Sequence, residues 1–117
     1  MNKQELLQLL KQVDESVLQK QIVVSRYPQL AEETLDELLE IDEVFPENEL
    51  DMIYKRFQPY LGQYGVFPFL GILGGNVIAI GNTSANHEQI YYYDFDFGMF
   101  ELDSTLEEFL DRLVTKT

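Results

Sequence analysis

Residues 74–113, GGNVIAIGNTSANHEQIYYYDFDFGMFELDSTLEEFLDRL, constrain the fold more than any other part of the chain. Gly74 and Gly75 mark a turn, and residues 76–81 alternate so that Val77 and Ala79 share one face of a strand while Ile78 and Ile80 share the other. A polar loop (82–88) leads into a tyrosine-rich strand at 89–94, a turn at 96–98 and a last strand at 99–102. Ser104 and Glu107 then have the spacing of a capping box, with serine at N-cap and glutamate at N3, opening a helix whose Leu106, Phe109, Leu110 and Leu113 face a core. Three strands and a helix in immediate succession require an antiparallel sheet with a helix on it.

The first half reads as helical. In residues 3–21, Leu6, Leu9, Leu10, Val13, Val17 and Leu18 recur at three- and four-residue steps, which predicts an amphipathic helix of about five turns. Residues 22–30, with the β-branched run at 22–24 and Tyr27-Pro28, read as a connector with extended character. A second helix is expected over 31–41, buried through Leu35, Leu38, Leu39 and Ile41, and a third over 47–57, which Pro59 stops. Pro68, inside the apolar stretch 66–73, predicts a strand start or a sheet edge. The expected fold class is α+β in one domain, 1–117: N-terminal helices, an antiparallel sheet of about four strands, and a C-terminal helix packed on the sheet.

With 45% hydrophobic residues, eight Phe and seven Tyr, the chain can bury a core without metal or disulfides. The absence of cysteine excludes thiol catalysis and zinc–thiolate sites. No apolar run approaches the roughly 20 residues that span a bilayer, and no signal-like start is present, so the expected location is cytoplasmic, without a membrane partner. The charge of −13 is concentrated: residues 32–51 hold ten acids and no base. Phosphate binding needs clustered Lys and Arg, so nucleic acid is not expected as a direct ligand. Two readings of the acidic segment stay open, a solvated face that confers solubility and a surface for a basic protein.

The candidate chemistry is thin. His87 is the single histidine and lies in a polar loop with no metal-ligand partner at helical spacing, and a Ser84–His87–Asp94 triad lacks any nucleophile-elbow pattern. Asp94-Phe95-Asp96-Phe97-Gly98 contains a DFG triplet and a DxD spacing. The kinase elements that give DFG its meaning are missing, as are the further oxygen ligands of a calcium loop, so the segment reads as a turn in which Asp side chains accept from backbone amides. Gly71, Gly74 and Gly75 do not form a phosphate loop, because no Lys-Ser/Thr follows. Tyr91, Tyr92, Tyr93, Phe95, Phe97 and Phe100 are either core or, on one strand face, a recognition surface. No catalytic residue, metal or cofactor is expected.

The order of these pieces resembles the SUKH superfamily, which includes the fungal Smi/Knr-type cell-wall regulators and many bacterial proteins. The resemblance covers roughly residues 65–114. It rests on Phe67-Pro68-Phe69, Gly74-Gly75-Asn76 with the following alternating strand, Ile90-Tyr91-Tyr92-Tyr93-Asp94, and Ser104-Thr105-Leu106-Glu107-Glu108-Phe109-Leu110. Asn76 stands where the family usually has aspartate, and the earlier family segment is echoed only by Tyr27-Pro28 and Leu35, Leu38 and Leu39. The resemblance implies a non-enzymatic binding domain. In bacteria that means an immunity protein that neutralises a polymorphic toxin by contact, many such toxins being nucleases with basic surfaces; the alternative is an intracellular adaptor of the Smi/Knr sort. The surface expected to meet the partner comprises Glu33, Asp36, Glu37, Glu40, Asp42, Glu43 and Glu47 with Tyr92, Asp94 and Asp96, in a monomer or a homodimer.

Overall fold

In the computed structural model, which describes residues 2–116, the chain runs through α1 (Lys3–Leu10), β1 (Lys20–Val23), α2 (Pro28–Glu33), β2 (Leu38–Val44), α3 (Leu50–Leu61), β3 (Val66–Ile72), β4 (Val77–Gly81), β5 (Ile90–Asp94), β6 (Gly98–Glu101), α4 (Leu106–Arg112) and β7 (Val114–Thr115). The architecture is α+β, with one antiparallel sheet in the order β6-β5-β4-β3-β2-β1-β7. Seven strands replace the four expected, because β1, β2 and β7 extend the sheet on the far side of β3.

The expected alternation places the core on both faces. On one face Leu39, Ile41, Leu70, Ile78, Ile80, Ile90 and Tyr92 pack with Leu6 of α1, Leu30 of α2, and Leu106 and Phe109 of α4. On the other face Val66, Val77, Ala79 and Tyr91 pack with Leu61, and half-buried Phe57 of α3 closes over them. The chain leaves β6 at one edge, carries α4 over the first face and ends in β7 at the opposite edge, so α4 spans the sheet and Phe109 meets Phe69 edge-on at 6.4 Å. Thr105 is the N-cap, its hydroxyl accepting from the Glu108 amide at 3.2 Å, one residue later than the Ser104 cap expected from sequence.

Four expectations about the residues before β4 change. The helix predicted over 3–21 ends at Leu10, because Asp14 leaves helical geometry and its carboxylate accepts from the Ser16 amide at 2.8 Å, starting a separate 3-10 turn at Glu15–Gln19. The helix predicted over 31–41 is instead α2, with Pro28 at its first turn, followed by β2, where buried Leu39 and Ile41 alternate with exposed Leu38, Glu40 and Asp42. The third helix starts at Leu50 after a 3-10 lead-in at Glu47–Glu49 and continues through Pro59 to Leu61. Pro59 lies within three residues of its end, where its missing amide costs a single helix bond, and buried Leu61 anchors the last turn. Pro68 sits in β3, a central strand, and is accommodated by the register shift between Pro68 and Leu70.

Candidate functional site

The acidic segment is distributed over four elements: Glu32 and Glu33 end α2, Asp36 and Glu37 lie in the following loop, Glu40, Asp42 and Glu43 are in β2, and Glu47, Glu49 and Asp51 lead into and open α3. All ten are exposed. Among the described residues, only Asp51 of the ten forms an ion pair, with Lys3 at 2.7 Å. Alternation in β2 explains the placement, since each inward Leu39 or Ile41 turns its neighbours to solvent. Gly71 of β3 lies opposite Glu43, and a Cβ there would come within 3.3 Å of Glu43 Cβ and 3.4 Å of the Phe45 ring. The bare strand therefore lets Glu43 and Phe45 lie across it.

Tyr92 and Asp94 belong to the interior. Tyr92 is 2% exposed and Asp94 8%, which takes both away from the contact surface on which the sequence places them. Asp94 Oδ1 accepts from the amides of Asp96 (2.8 Å) and Phe97 (3.1 Å), while Oδ2 accepts from the Tyr92 hydroxyl (3.1 Å) and Asn76 Nδ2 (3.2 Å). Asn76 also donates to the Tyr92 hydroxyl at 2.9 Å and accepts from the Phe95 amide at 3.0 Å. An asparagine serves here because the position needs a donor toward Asp94 and an acceptor toward Phe95. Burial first, then the adjoining Asp94 carboxylate, pushes the Tyr92 hydroxyl above the ordinary phenol range, and Asp36 acts in the same direction. The network fixes the turn between β5 and β6, which Gly98 closes at φ +99°, and ties it to the β3–β4 turn. Asp96, at the tip, is exposed.

That turn holds Phe95 and Phe97 outward, 43% and 55% exposed. Phe95 meets Tyr60 and Tyr93, each at 5.0 Å between ring centres, and Phe57 at 6.1 Å; Tyr64 lies 6.3 Å from Tyr93. The sequence singles out Tyr93, Phe95 and Phe97 as core or recognition surface but not Phe57, Tyr60 and Tyr64, which are brought to them only by the path of α3 over the sheet.

A second polar cluster lies between α2 and α4. The Asp103 side chain is fully buried, accepting from the Tyr27 hydroxyl at 2.6 Å and paired with Arg112 at 3.1 Å. Burial pushes the Asp103 carboxyl up, against the opposing pull of Tyr27 and Arg112. The Arg112 guanidinium stands 6.0 Å from the Tyr27 ring centre, and Arg26 donates to the Arg112 carbonyl at 2.8 Å. The cluster fastens α4 to the start of α2.

Ser84, His87 and Asp94 are not assembled. His87 is exposed in the loop before β5, Ser84 in the same loop, and Asp94 is committed to the turn at the other end of that strand. Asn86 organises the loop, accepting from Thr83 and donating to the carbonyls of Tyr64 and Gly65. No group of three or more metal-ligating side chains occurs among the described residues, and none of their helices is long and apolar enough to cross a membrane.

No curated protein matches the sequence. A family model does, described as RhsPI, a family of Rhs-associated immunity-like proteins, over residues 16–114. That span runs from the 3-10 turn before β1 to the first residue of β7 and takes in the other six strands, the acidic segment and the aromatic cluster; the chain belongs to the RhsPI family.

Proposed function

We propose that this chain is a cytoplasmic immunity protein that neutralises a cognate Rhs toxin by direct binding, without catalysis of its own. The observation that carries the reading is the match to the RhsPI family across residues 16–114, joined to a segment, residues 32–51, in which nine of ten exposed acids lack an ion pair among the described residues. Nine exposed, unpaired carboxylates within twenty residues accelerate encounter with a positively charged partner and favour its orientation toward them. The partner is accordingly a toxin with a basic surface, of the kind nucleases present to their substrate. Glu33, Asp36, Glu37, Glu40, Asp42, Glu43, Glu47 and Asp96 are the carboxylates available to it.

The SUKH resemblance of residues 65–114 belongs to the same proposal, as a shared scaffold for binding rather than for chemistry. The reading is tested by purifying the chain with the toxin domain encoded beside its gene. Complex formation with loss of toxin activity supports it, and the absence of a complex counts against it.

A further inference from the structure

We propose that the aromatic cluster of exposed Tyr60, Tyr64, Phe95 and Phe97 with half-buried Phe57 and Tyr93 anchors the toxin, and that it receives an arginine-bearing segment; this rests on the immunity reading above. Tyr60, Tyr64, Phe95 and Phe97 are each between 39% and 55% exposed, and the first three join through Tyr93 and Phe57 into one continuous surface. Exposed aromatic rings gathered in one place are unusual on a protein that works alone, and buried aromatics dominate the energetics of binding surfaces.

Two features make the cluster a preformed anchor. The turn presenting Phe95 and Phe97 is held by the Asp94 and Asn76 hydrogen bonds, so little ordering remains to be done on binding. Tyr60 and Tyr93 stand at 83° and 85° to the Phe95 ring, making corners rather than a closed stack. The chain's own cations do not fill them: among the described residues the one cation found over a ring is Arg112, over Tyr27.

Charge selects the occupant. Asp96 is exposed between Phe95 and Phe97. A second copy of the chain would bring the same acid, on a molecule of charge −13, and anionic lipid would be repelled likewise. A guanidinium suits both halves of the surface, because its flat, weakly hydrated face stacks on aromatic rings while its edge pairs with carboxylate.

The test measures affinity for the adjacent toxin domain by titration calorimetry, with Phe95→Ala and Tyr60→Ala made separately and thermal unfolding recorded in parallel. Each variant is expected to bind at least about tenfold more weakly, as truncation of an anchor does, with Tyr60→Phe retaining affinity. Arg→Lys substitutions on the toxin surface are then combined with Phe95→Ala. At least one is expected to weaken the wild-type complex and to add no further loss in the variant. Wild-type affinity in both alanine variants overturns the anchor while leaving toxin binding intact. Additive losses at every toxin arginine overturn the choice of arginine, and failure of the wild-type chain to bind overturns the immunity reading with it.

Discussion

Asn76→Asp tests the hydrogen-bond logic of the turn between β5 and β6, because it changes one atom of a side chain and reverses its role. Asn76 Nδ2 lies 3.2 Å from Asp94 Oδ2 and 2.9 Å from the Tyr92 hydroxyl. A carboxylate there loses a donor to a charged acceptor, which is worth about 1.5–3 kcal/mol. It also sets two like charges at the same separation, for which an effective dielectric constant near 20 gives an upper limit of about 5 kcal/mol. Partial exposure of residue 76 lowers that limit, and a net cost of about 3 kcal/mol is expected once the lost donor is included. For a domain of this size that corresponds to roughly a 10 °C fall in Tm by differential scanning calorimetry at neutral pH. Acid should narrow the gap. The introduced carboxyl faces a carboxylate, so its pKa in the folded chain lies above that in the unfolded chain. Its penalty is absent below the unfolded value, near pH 4, and grows as pH rises through the folded one. An unchanged or raised Tm at neutral pH, or a gap that widens in acid, refutes the reasoning.

Phe109→Ala removes a side chain with 0% exposure from the helix that spans the sheet, and should cost about 3–5 kcal/mol by chemical denaturation, a large share of the stability of a small domain. Arg112→Ala leaves buried Asp103 with Tyr27 as its remaining partner and should cost about 1–2 kcal/mol at neutral pH, the lower range applying because Arg112 is 47% exposed. Because burial already raises the Asp103 pKa and losing Arg112 raises it further, the deficit should shrink as pH falls toward 4 in a pH series of thermal melts.

The second half of the fold was legible because β4 and β5 alternate without interruption and both of their faces are packed. Residues 77–80 and 90–92 are all buried, so the strand pattern survives in every side chain. β2 was hidden by its own exposure: only Leu39 and Ile41 turn inward, and the acids between them, with Leu35 and Leu38, fit a helical stripe equally well. Leu35 shows how that stripe misleads, since it is fully exposed. β7, two residues long, exists only through pairing with β1, which no local pattern reveals. At the candidate site, the exposure of the acids followed from their density. The burial of Tyr92 and Asp94 did not: Tyr92 packs against Phe100 in the core, and both polar groups are satisfied by Asn76 reaching across from another turn. The hairpin half of the aromatic cluster, Tyr93, Phe95 and Phe97, stood out in the sequence, but its junction with a helix more than 30 positions away has no sequence signature.

The most direct test of toxin neutralisation through the acidic segment is the association rate constant with the purified toxin domain, measured by stopped flow in low and high salt. Long-range attraction predicts a fall of about tenfold or more between roughly 20 mM and 500 mM salt, with inhibition of the toxin in the resulting complex. Glu37→Lys combined with Glu40→Lys should lower the low-salt rate while leaving Tm unchanged, since both side chains are exposed and, among the described residues, lack ion pairs. A rate indifferent to salt and to these two charges, or a toxin that stays active in the presence of excess protein, would contradict the account.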